Sequence, residues 1–146
     1  MNDNDAADLR RSVREALAED VGQGDLTAAL IPHDSEAKAS IIVRERAILC
    51  GTEWAEECFR QLDEAIDLSW HCADGSVCEP GSVVCSLSGN ARSLLTGERT
   101  ALNFLQTLSA TATITAEYCK AVEGTGAKIL DTRKTLPGLR TAQKYA

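Results

Sequence analysis

The sequence predicts a mixed α/β fold that leads, near its last residues, into a second α/β unit. Up to about residue 90, short runs rich in Ile and Val alternate with amphipathic helical patterns. A helical pattern of about thirty residues then begins at Arg92. A short apolar run at 129–130 follows, and Pro137 and Gly138 turn the chain toward a further helix. This strand–loop–helix order is typical of the first unit of a parallel sheet or barrel.

The composition limits the classes of function. The chain has 146 residues, 44% of them apolar, enough for the core of one ordinary domain. Its 22 acidic and 15 basic residues give a formal charge of -7, which argues against general binding to nucleic acids or anionic membranes. No apolar run approaches the roughly 20 residues of a membrane span, and the acidic residues 1–5 are unlike a signal or transit peptide. We therefore expect a cytoplasmic protein.

Two helices are predicted in the first half of the chain. Apolar residues recur at helical spacing over residues 5–19 and again over 52–63, where Thr52 is the expected N-cap. Between these helices, residues 25–27 are expected to cap the short turn before Pro32.

Strands are predicted from runs of β-branched residues and from alternation. Residues 37–44 and 47–51 are rich in Ile and Val, and residues 66–71 alternate apolar and polar side chains. Pro80 and Gly81 mark a turn before another strand. The inward face of that strand is expected to consist of Val83, Cys85 and Leu87.

The long helical pattern has an apolar face that is too wide for a lone surface helix. Such a face predicts burial against another subunit or domain. The small residues 109–113 are expected to separate this helix from a further one that ends at Gly124 or Gly126. The residues of the face are Leu94, Leu95, Ala101, Leu102, Leu105 and Leu108.

The six cysteines are best explained as structural thiols. No two of them have C-x-x-C spacing, and most lie in apolar or strand-like contexts, where a free cysteine behaves as a small hydrophobe. A zinc site formed by His71, Cys72 and Cys78 is the alternative, although it lacks a ligand pattern.

The most informative stretch is cation-rich. Residues 127–146 contain one acid, Asp131, and five basic residues, although the chain as a whole is acidic. Adjacent cations and hydroxyls after a strand predict a site for a small polyanion, and a solvated basic loop before a helix is the alternative. The chain then reaches Ala146 inside an apparent helix, so we expect it to be truncated. The basic residues are Lys128, Arg133, Lys134, Arg140 and Lys144.

Five segments together resemble one known family. They are EDVGQGDLT at 19–27, RERAILCG at 44–51, LTGERTALN at 95–103, LDTRKTLPGLR at 130–140 and KYA at 144–146. Taken in this order they resemble quinolinate phosphoribosyltransferase, also called decarboxylating nicotinate-nucleotide pyrophosphorylase. The resemblance extends from about residue 9 to residue 146. One departure is Ala110, which stands where the family pattern has glycine.

The resemblance implies a fold, a reaction and an assembly. The fold is an α+β sandwich, a mixed sheet with helices, at residues 1–113, followed at 114–146 by the truncated start of an α/β barrel. The reaction transfers phosphoribosyl from phosphoribosyl pyrophosphate to quinolinate, with Mg²⁺, and gives nicotinate mononucleotide, pyrophosphate and CO₂ in de novo NAD synthesis. The enzyme is implied to be a homodimer or a multiple of dimers.

The resemblance also assigns the substrate residues of the basic loop. Thr132, Arg133 and Lys134 are expected to bind substrate, and Lys134 is also the expected catalytic residue. Arginine suits planar carboxylates because its fork makes two parallel hydrogen bonds, whereas lysine is a compact point charge. No residue of the chain is assigned as a metal ligand. Supporting roles are expected for Asp131, Arg140 and Lys144.

Arg99 looks like the family's arginine that reaches the quinolinate bound by the neighbouring subunit. A surface ion pair on the helix is the alternative for this residue. For the whole chain, the leading hypothesis is the N-terminal portion of the enzyme, inactive without the rest of the barrel. A non-catalytic, self-associating chain that pairs through the apolar face is one alternative, and a related phosphoribosyltransferase with another substrate is a second.

Overall fold

The computed structural model describes residues 3–22, 24 and 28–146. The expected cap at residues 25–27 lies outside the described residues. The first helix, α1 (Asp3–Val21), confirms the prediction made for residues 5–19. Its apolar side buries Leu9, Val13 and Leu17, and Asp3 and Asp5 in its first turn suit the positive end of the helix dipole.

The strands form two small sheets. Strands β1 (Glu36–Ile42), β3 (Asp67–Trp70) and β5 (Val83–Asn90) make a three-stranded sheet in the order β1-β5-β3. Strands β2 (Ala47–Ile48) and β4 (Val77–Cys78) make a separate pair. Every pairing among the described strands is antiparallel. The predicted mixture of helices and strands in an α+β domain is therefore confirmed, but the prediction of a mixed sheet is wrong.

The inward face of β5 is confirmed at Cys85 and Leu87, which are both buried, but the prediction is wrong at Val83. Val83 is 43% exposed, whereas Val84 is 1% exposed and its neighbour Cys85 is also buried. The register shifts here, because Ile41 pairs with Cys85 while Ile42 pairs with Val83. A bulge of this kind breaks the strict alternation of side chains, so two consecutive residues can face the core.

Helix α2 (Thr52–Leu62) confirms the second predicted helix, but its N-cap is Gly51 rather than Thr52. Gly51 has φ of 99°, a conformation that glycine adopts without strain. The free N–H groups at this end are bound by the Asp74 carboxylate, which accepts from Gly51 N at 2.9 Å and from Thr52 N at 3.2 Å. The start of α2 is therefore capped by a side chain from the turn between β3 and β4, and not by Thr52.

Helix α3 (Ala91–Ala121) is one continuous helix, so the predicted break at residues 109–113 is wrong. The side chain of Asn90 caps its start by accepting from Arg92 N and Ser93 N. The hydroxyls in the small-residue run bind strand β2 and the residues after it. Thr113 Oγ1 accepts from Ile48 N at 2.9 Å, and Ser109 Oγ accepts from Cys50 N at 3.0 Å.

The wide apolar face of α3 is buried mainly inside this chain, against α2, β5 and the other core elements. Leu94, Ala101, Leu105 and Leu108 are buried, while Leu95 remains 40% exposed. The prediction that this face packs against another subunit is therefore wrong for most of its length. The face is wide because α3 lies between α2 and the sheet.

The predicted barrel strand at residues 129–130 does not form here. Residues 127–132 have no regular secondary structure. A parallel strand needs a neighbour for its N–H and C=O groups, and Leu130 is 78% exposed here. The helix predicted after Gly138 does form, as α4 (Arg140–Tyr145). Among the described residues, no helix is both long and apolar enough to cross a membrane.

Candidate functional site

The basic loop lies between α3 and α4 and presents its cations to solvent. Arg133 and Lys134 are both exposed. A local turn shapes this segment, since Thr132 Oγ1 accepts a hydrogen bond from Lys134 N at 3.1 Å. The two predicted substrate cations are thus adjacent in the chain. The backbone between them and Thr132 is restricted by the Thr132 hydroxyl, which is itself a predicted substrate ligand.

Helix α4 holds both ends of this loop. Lys144 forms an ion pair with Asp131 at the start of the loop. Gln143 Oε1 accepts from Leu136 N at 2.6 Å, near the end of the loop. The structure therefore brings Lys144 and Asp131 together, and the supporting role expected for them stays a prediction. Arg140 begins the helix and is exposed.

The opposite side of α4 docks onto the N-terminal helices. Ala142 is buried, and Thr141 Oγ1 donates to Asp8 Oδ2 at 2.9 Å. The Arg11 guanidinium and the Thr141 hydroxyl together lower the pKa of the Asp8 carboxyl. Because both partners favour its charged form, Asp8 remains an acceptor for α4 near neutral pH.

Tyr145 connects α4 to the turn between β3 and β4 and to α2. Its hydroxyl donates to Asp74 Oδ2 at 3.0 Å, and its ring lies 5.3 Å from the Trp54 ring, centroid to centroid, at an interplanar angle of 47°. Sequence reasoning missed Asp74, which precedes Tyr145 by 71 residues in the chain. Only its place in an Ala-Asp-Gly turn marked it, and that pattern predicts a turn without a long-range partner.

Arg99 lies on α3 and pairs with α1. Its Nε is 2.5 Å from Asp20 Oδ1, and its second terminal nitrogen is 3.0 Å from Oδ2, so the pair is bidentate. The side chain of Arg99 is 65% exposed. The ion pair considered as an alternative therefore exists, and the predicted role of Arg99 toward a neighbouring subunit stays a prediction.

The cysteines are free thiols, and four of them are buried: Cys50, Cys58, Cys78 and Cys85. Burial raises the pKa of Cys50 and Cys58 to about 12 and that of Cys85 to about 11. The alternative zinc site is not assembled, because the described part of the chain holds no group of three His, Cys, Asp or Glu side chains arranged around a common point. His71 Nε2 instead lies 2.8 Å from Ser86 Oγ.

The fold and the loop define an α+β domain of small antiparallel sheets and helices, joined to a cation-rich segment. Two family models match this chain in succession. The model described as "Quinolinate phosphoribosyl transferase, N-terminal domain" matches residues 25–109, and the corresponding C-terminal domain model matches residues 111–146. The chain therefore belongs to the quinolinate phosphoribosyltransferase family, as its sequence motifs indicated.

Similar proteins carry the same name. The probable nicotinate-nucleotide pyrophosphorylase (carboxylating) of Bacillus subtilis is 39% identical over 138 residues, which are 94% of this chain and 48% of that protein. A mitochondrial quinolinate phosphoribosyltransferase (decarboxylating) of Nicotiana tabacum is 39% identical over 95% of this chain and 40% of its own length.

The solved nicotinate-nucleotide pyrophosphorylase of Francisella tularensis superposes with a TM-score of 0.90 at 47% identity. It covers 95% of this chain, and this chain covers 50% of it. The chain thus spans about half the length of the relatives that it matches. The division of the chain at residues 113 and 114 stays a prediction.

Proposed function

We propose that this chain supplies the N-terminal domain and the first part of the C-terminal domain of an enzyme that transfers phosphoribosyl from phosphoribosyl pyrophosphate to quinolinate. The products are nicotinate mononucleotide, pyrophosphate and CO₂, within de novo NAD synthesis. The observation that carries the proposal is the succession of the two family models over residues 25–109 and 111–146, the second of which includes the cation-rich loop.

The charges of the loop suit such substrates. Quinolinate carries two carboxylates and phosphoribosyl pyrophosphate carries several phosphate charges, so the pocket has to be cationic although the chain has a formal charge of -7. Arg133 offers a fork for a planar carboxylate, and Lys134 offers a point charge. Both are exposed in this chain, as a group that faces an incoming ligand must be.

The chemistry proposed for these residues is electrostatic. Pyrophosphate leaves through an oxocarbenium-like state, and the pyridine nitrogen attacks the sugar. Loss of CO₂ then leaves a carbanion beside the cationic ring nitrogen. Fixed cations at Arg133 and Lys134 stabilise the negative charges in these steps without forming a covalent bond. The hydrogen bond from Lys134 N to Thr132 Oγ1 restricts the backbone that carries both cations.

Mg²⁺ belongs to the proposal as a companion of phosphoribosyl pyrophosphate. The described residues do not provide a cluster of metal ligands, so this portion of the enzyme does not fit a protein-held metal ion. The phosphate oxygens of the substrate are ligands of the hard type that Mg²⁺ prefers.

The assembly proposed is a homodimer or a multiple of dimers, with Arg99 reaching the active site of the partner. Its side chain is 65% exposed, so a partner can reach it, and in that role a ligand carboxylate would take the place of Asp20 on the guanidinium. The proposed compartment is the cytoplasm. Some plant relatives are named as mitochondrial or chloroplastic, so the compartment differs among relatives.

The non-catalytic alternative loses most of its support. It required self-association through the apolar face of α3, and Leu94, Ala101, Leu105 and Leu108 are buried within the chain. We infer that a polypeptide limited to these 146 residues does not turn over, because it spans about half the length of its relatives.

The test uses the full-length protein, by which we mean these 146 residues followed by a complete C-terminal domain. With quinolinate labelled in the carboxylate at ring position 2, labelled CO₂ should appear only when phosphoribosyl pyrophosphate is present. The 146-residue chain should release none. Release without phosphoribosyl pyrophosphate, or no release from the full-length protein, would contradict the proposal.

A further inference from the structure

The turn between β3 and β4 holds one carboxylate at the meeting point of three donors. Asp74 accepts from Gly51 N, from Thr52 N and from the Tyr145 hydroxyl, at 2.9, 3.2 and 3.0 Å. Two of these donors begin α2, and the third belongs to α4. The Asp74 carboxylate therefore joins the start of α2 to α4, the helix that follows the basic loop.

The position of Asp74 is itself fixed. Its turn is closed by a bond from Ser76 N to Ala73 O at 3.1 Å. The turn is also paired with Leu49, which donates to Ser76 O at 2.9 Å and accepts from Gly75 N at 2.8 Å. Leu49 is buried in the core. These backbone hydrogen bonds fix the turn that carries the Asp74 carboxylate.

Tyr145 is suited to the partner role. Burial, followed by its hydrogen bond to Asp74, raises the pKa of the Tyr145 hydroxyl. The hydroxyl consequently remains protonated and able to donate through the physiological range. Tyr145 keeps 42% of its surface exposed, so removal of its hydroxyl leaves the core intact.

The link continues from α4 to the loop. Tyr145 anchors the end of the helix, while the neighbouring Gln143 and Lys144 bind Leu136 N and Asp131. Those two contacts span the segment that contains Arg133 and Lys134. We propose that Asp74 is a positioning residue of the substrate loop, acting through Tyr145 and α4. This inference rests on the proposed function for what the loop binds, but the physical link does not depend on it.

The decisive variant is Tyr145→Phe in the full-length protein. It removes the bond to Asp74 while keeping the ring beside Trp54 and the two backbone bonds at the start of α2. Loss of a hydrogen bond to a charged group is worth about tenfold in an equilibrium. We expect KM for quinolinate to rise by about tenfold, with a smaller change in kcat. Asp74→Asn should act in the same direction, and the double variant should add little to either single one.

Hydrogen exchange provides a readout that is independent of activity. In Tyr145→Phe, the hydrogen-bonded amides of this segment, those of Lys134, Leu136 and Leu139, should exchange several-fold faster, while those of α2 and α3 keep their rates. Tyr118→Phe, which changes an exposed tyrosine of α3, is the matched control and should change neither exchange nor KM.

The possible results separate failure of this inference from failure of the proposed function. Parental exchange in the loop of Tyr145→Phe would overturn the inference, and so would an unchanged KM in a parent that is active. A parent that releases no CO₂ from quinolinate would instead refute the proposed function, and faster loop exchange in the variant would still establish the link. A fall in kcat alone would indicate loss of folded protein and count against positioning.

Discussion

The guanidinium of Arg99 on α3 binds both carboxylate oxygens of Asp20 near the end of α1, at 2.5 and 3.0 Å. This is the parallel, two-bond geometry that arginine also uses for a planar carboxylate ligand. The Arg99 side chain is 65% exposed, but that of Asp20 is only 20% exposed, so this pair is partly shielded from solvent. A test of Arg99 therefore has to measure stability together with kinetics.

Replacing Arg99 by Ala should weaken quinolinate handling in the full-length protein. Loss of a bidentate contact to a charged ligand corresponds to a fall of about 10- to 100-fold in kcat/KM. The melting temperature should fall only modestly, because the Arg99 side of the contact is 65% exposed although the Asp20 side chain is 20% exposed. Arg46→Ala is the matched control, since Arg46 is an exposed arginine paired with Glu79. Unchanged kinetics in Arg99→Ala would refute the role assigned to it.

Replacing Ser109 by Ala should destabilise the chain. Its hydroxyl accepts from Cys50 N and donates to Cys50 O, at 3.0 and 3.2 Å. Cys50 is buried, so its backbone groups would be left unsatisfied at a cost of about 1–3 kcal/mol. Thr111→Ala is the control, because the Thr111 hydroxyl donates only within the helix, to Thr107 O. Equal urea midpoints for the two variants would show that α3 does not hold this segment.

Gly51→Ala should be more damaging than Gly81→Ala. Both residues have positive φ, 99° and 85°, so both substitutions carry a backbone cost of about 1–2 kcal/mol. At Gly51 the added Cβ would also lie 2.8 Å from Leu108 Cδ1, whereas at Gly81 it would meet nothing within 4 Å. Leu108 is fully buried, and overpacking adds about 1–3 kcal/mol. The difference between the two unfolding free energies measures this contact, and a difference near zero would be inconsistent with the packing of α3 on Gly51.

Thiol reactivity should separate the exposed cysteine from the buried ones. The thiolate is the form that attacks a disulfide reagent and expels one of its sulfurs, and burial raises the pKa of Cys50 and Cys58 to about 12. At pH 8 these two thiols are almost entirely protonated, and their thiolate fraction grows only as the pH rises toward that value. Cys119 is exposed and should react first, and Cys119→Ser should abolish the fast phase. Rapid reaction of Cys58 in the native chain would contradict its position in the core.

Local patterns predicted much of this fold. The periodicity that buries Val13 in α1 and Cys58 in α2 is written within one element, so both helices and the strand that ends at Trp70 followed from spacing alone. The break predicted at 109–113 failed because the hydroxyls of Ser109 and Thr113 are satisfied by backbone groups 59 and 65 residues away. Small polar residues resemble a linker only while such partners are unknown.

Only part of the candidate site could be predicted from local sequence. The motif around Arg133 and Lys134 was visible because its residues are adjacent. Asp74 was not, since its link to Tyr145 joins positions 71 residues apart. The strand expected at 129–130 depends on pairing with other strands, and no strand in the described part of the chain pairs with it. The local sequence indicates that residues 129–130 favour an extended backbone. A strand is stable only when its backbone N–H and C=O groups are paired.

The most direct test of the proposed function is product stoichiometry in the full-length protein. With quinolinate and phosphoribosyl pyrophosphate, each nicotinate mononucleotide formed should be matched by one CO₂ and one pyrophosphate. With nicotinate in place of quinolinate, no mononucleotide should form. Equal or faster turnover of nicotinate would contradict the proposal and favour a related phosphoribosyltransferase with another substrate.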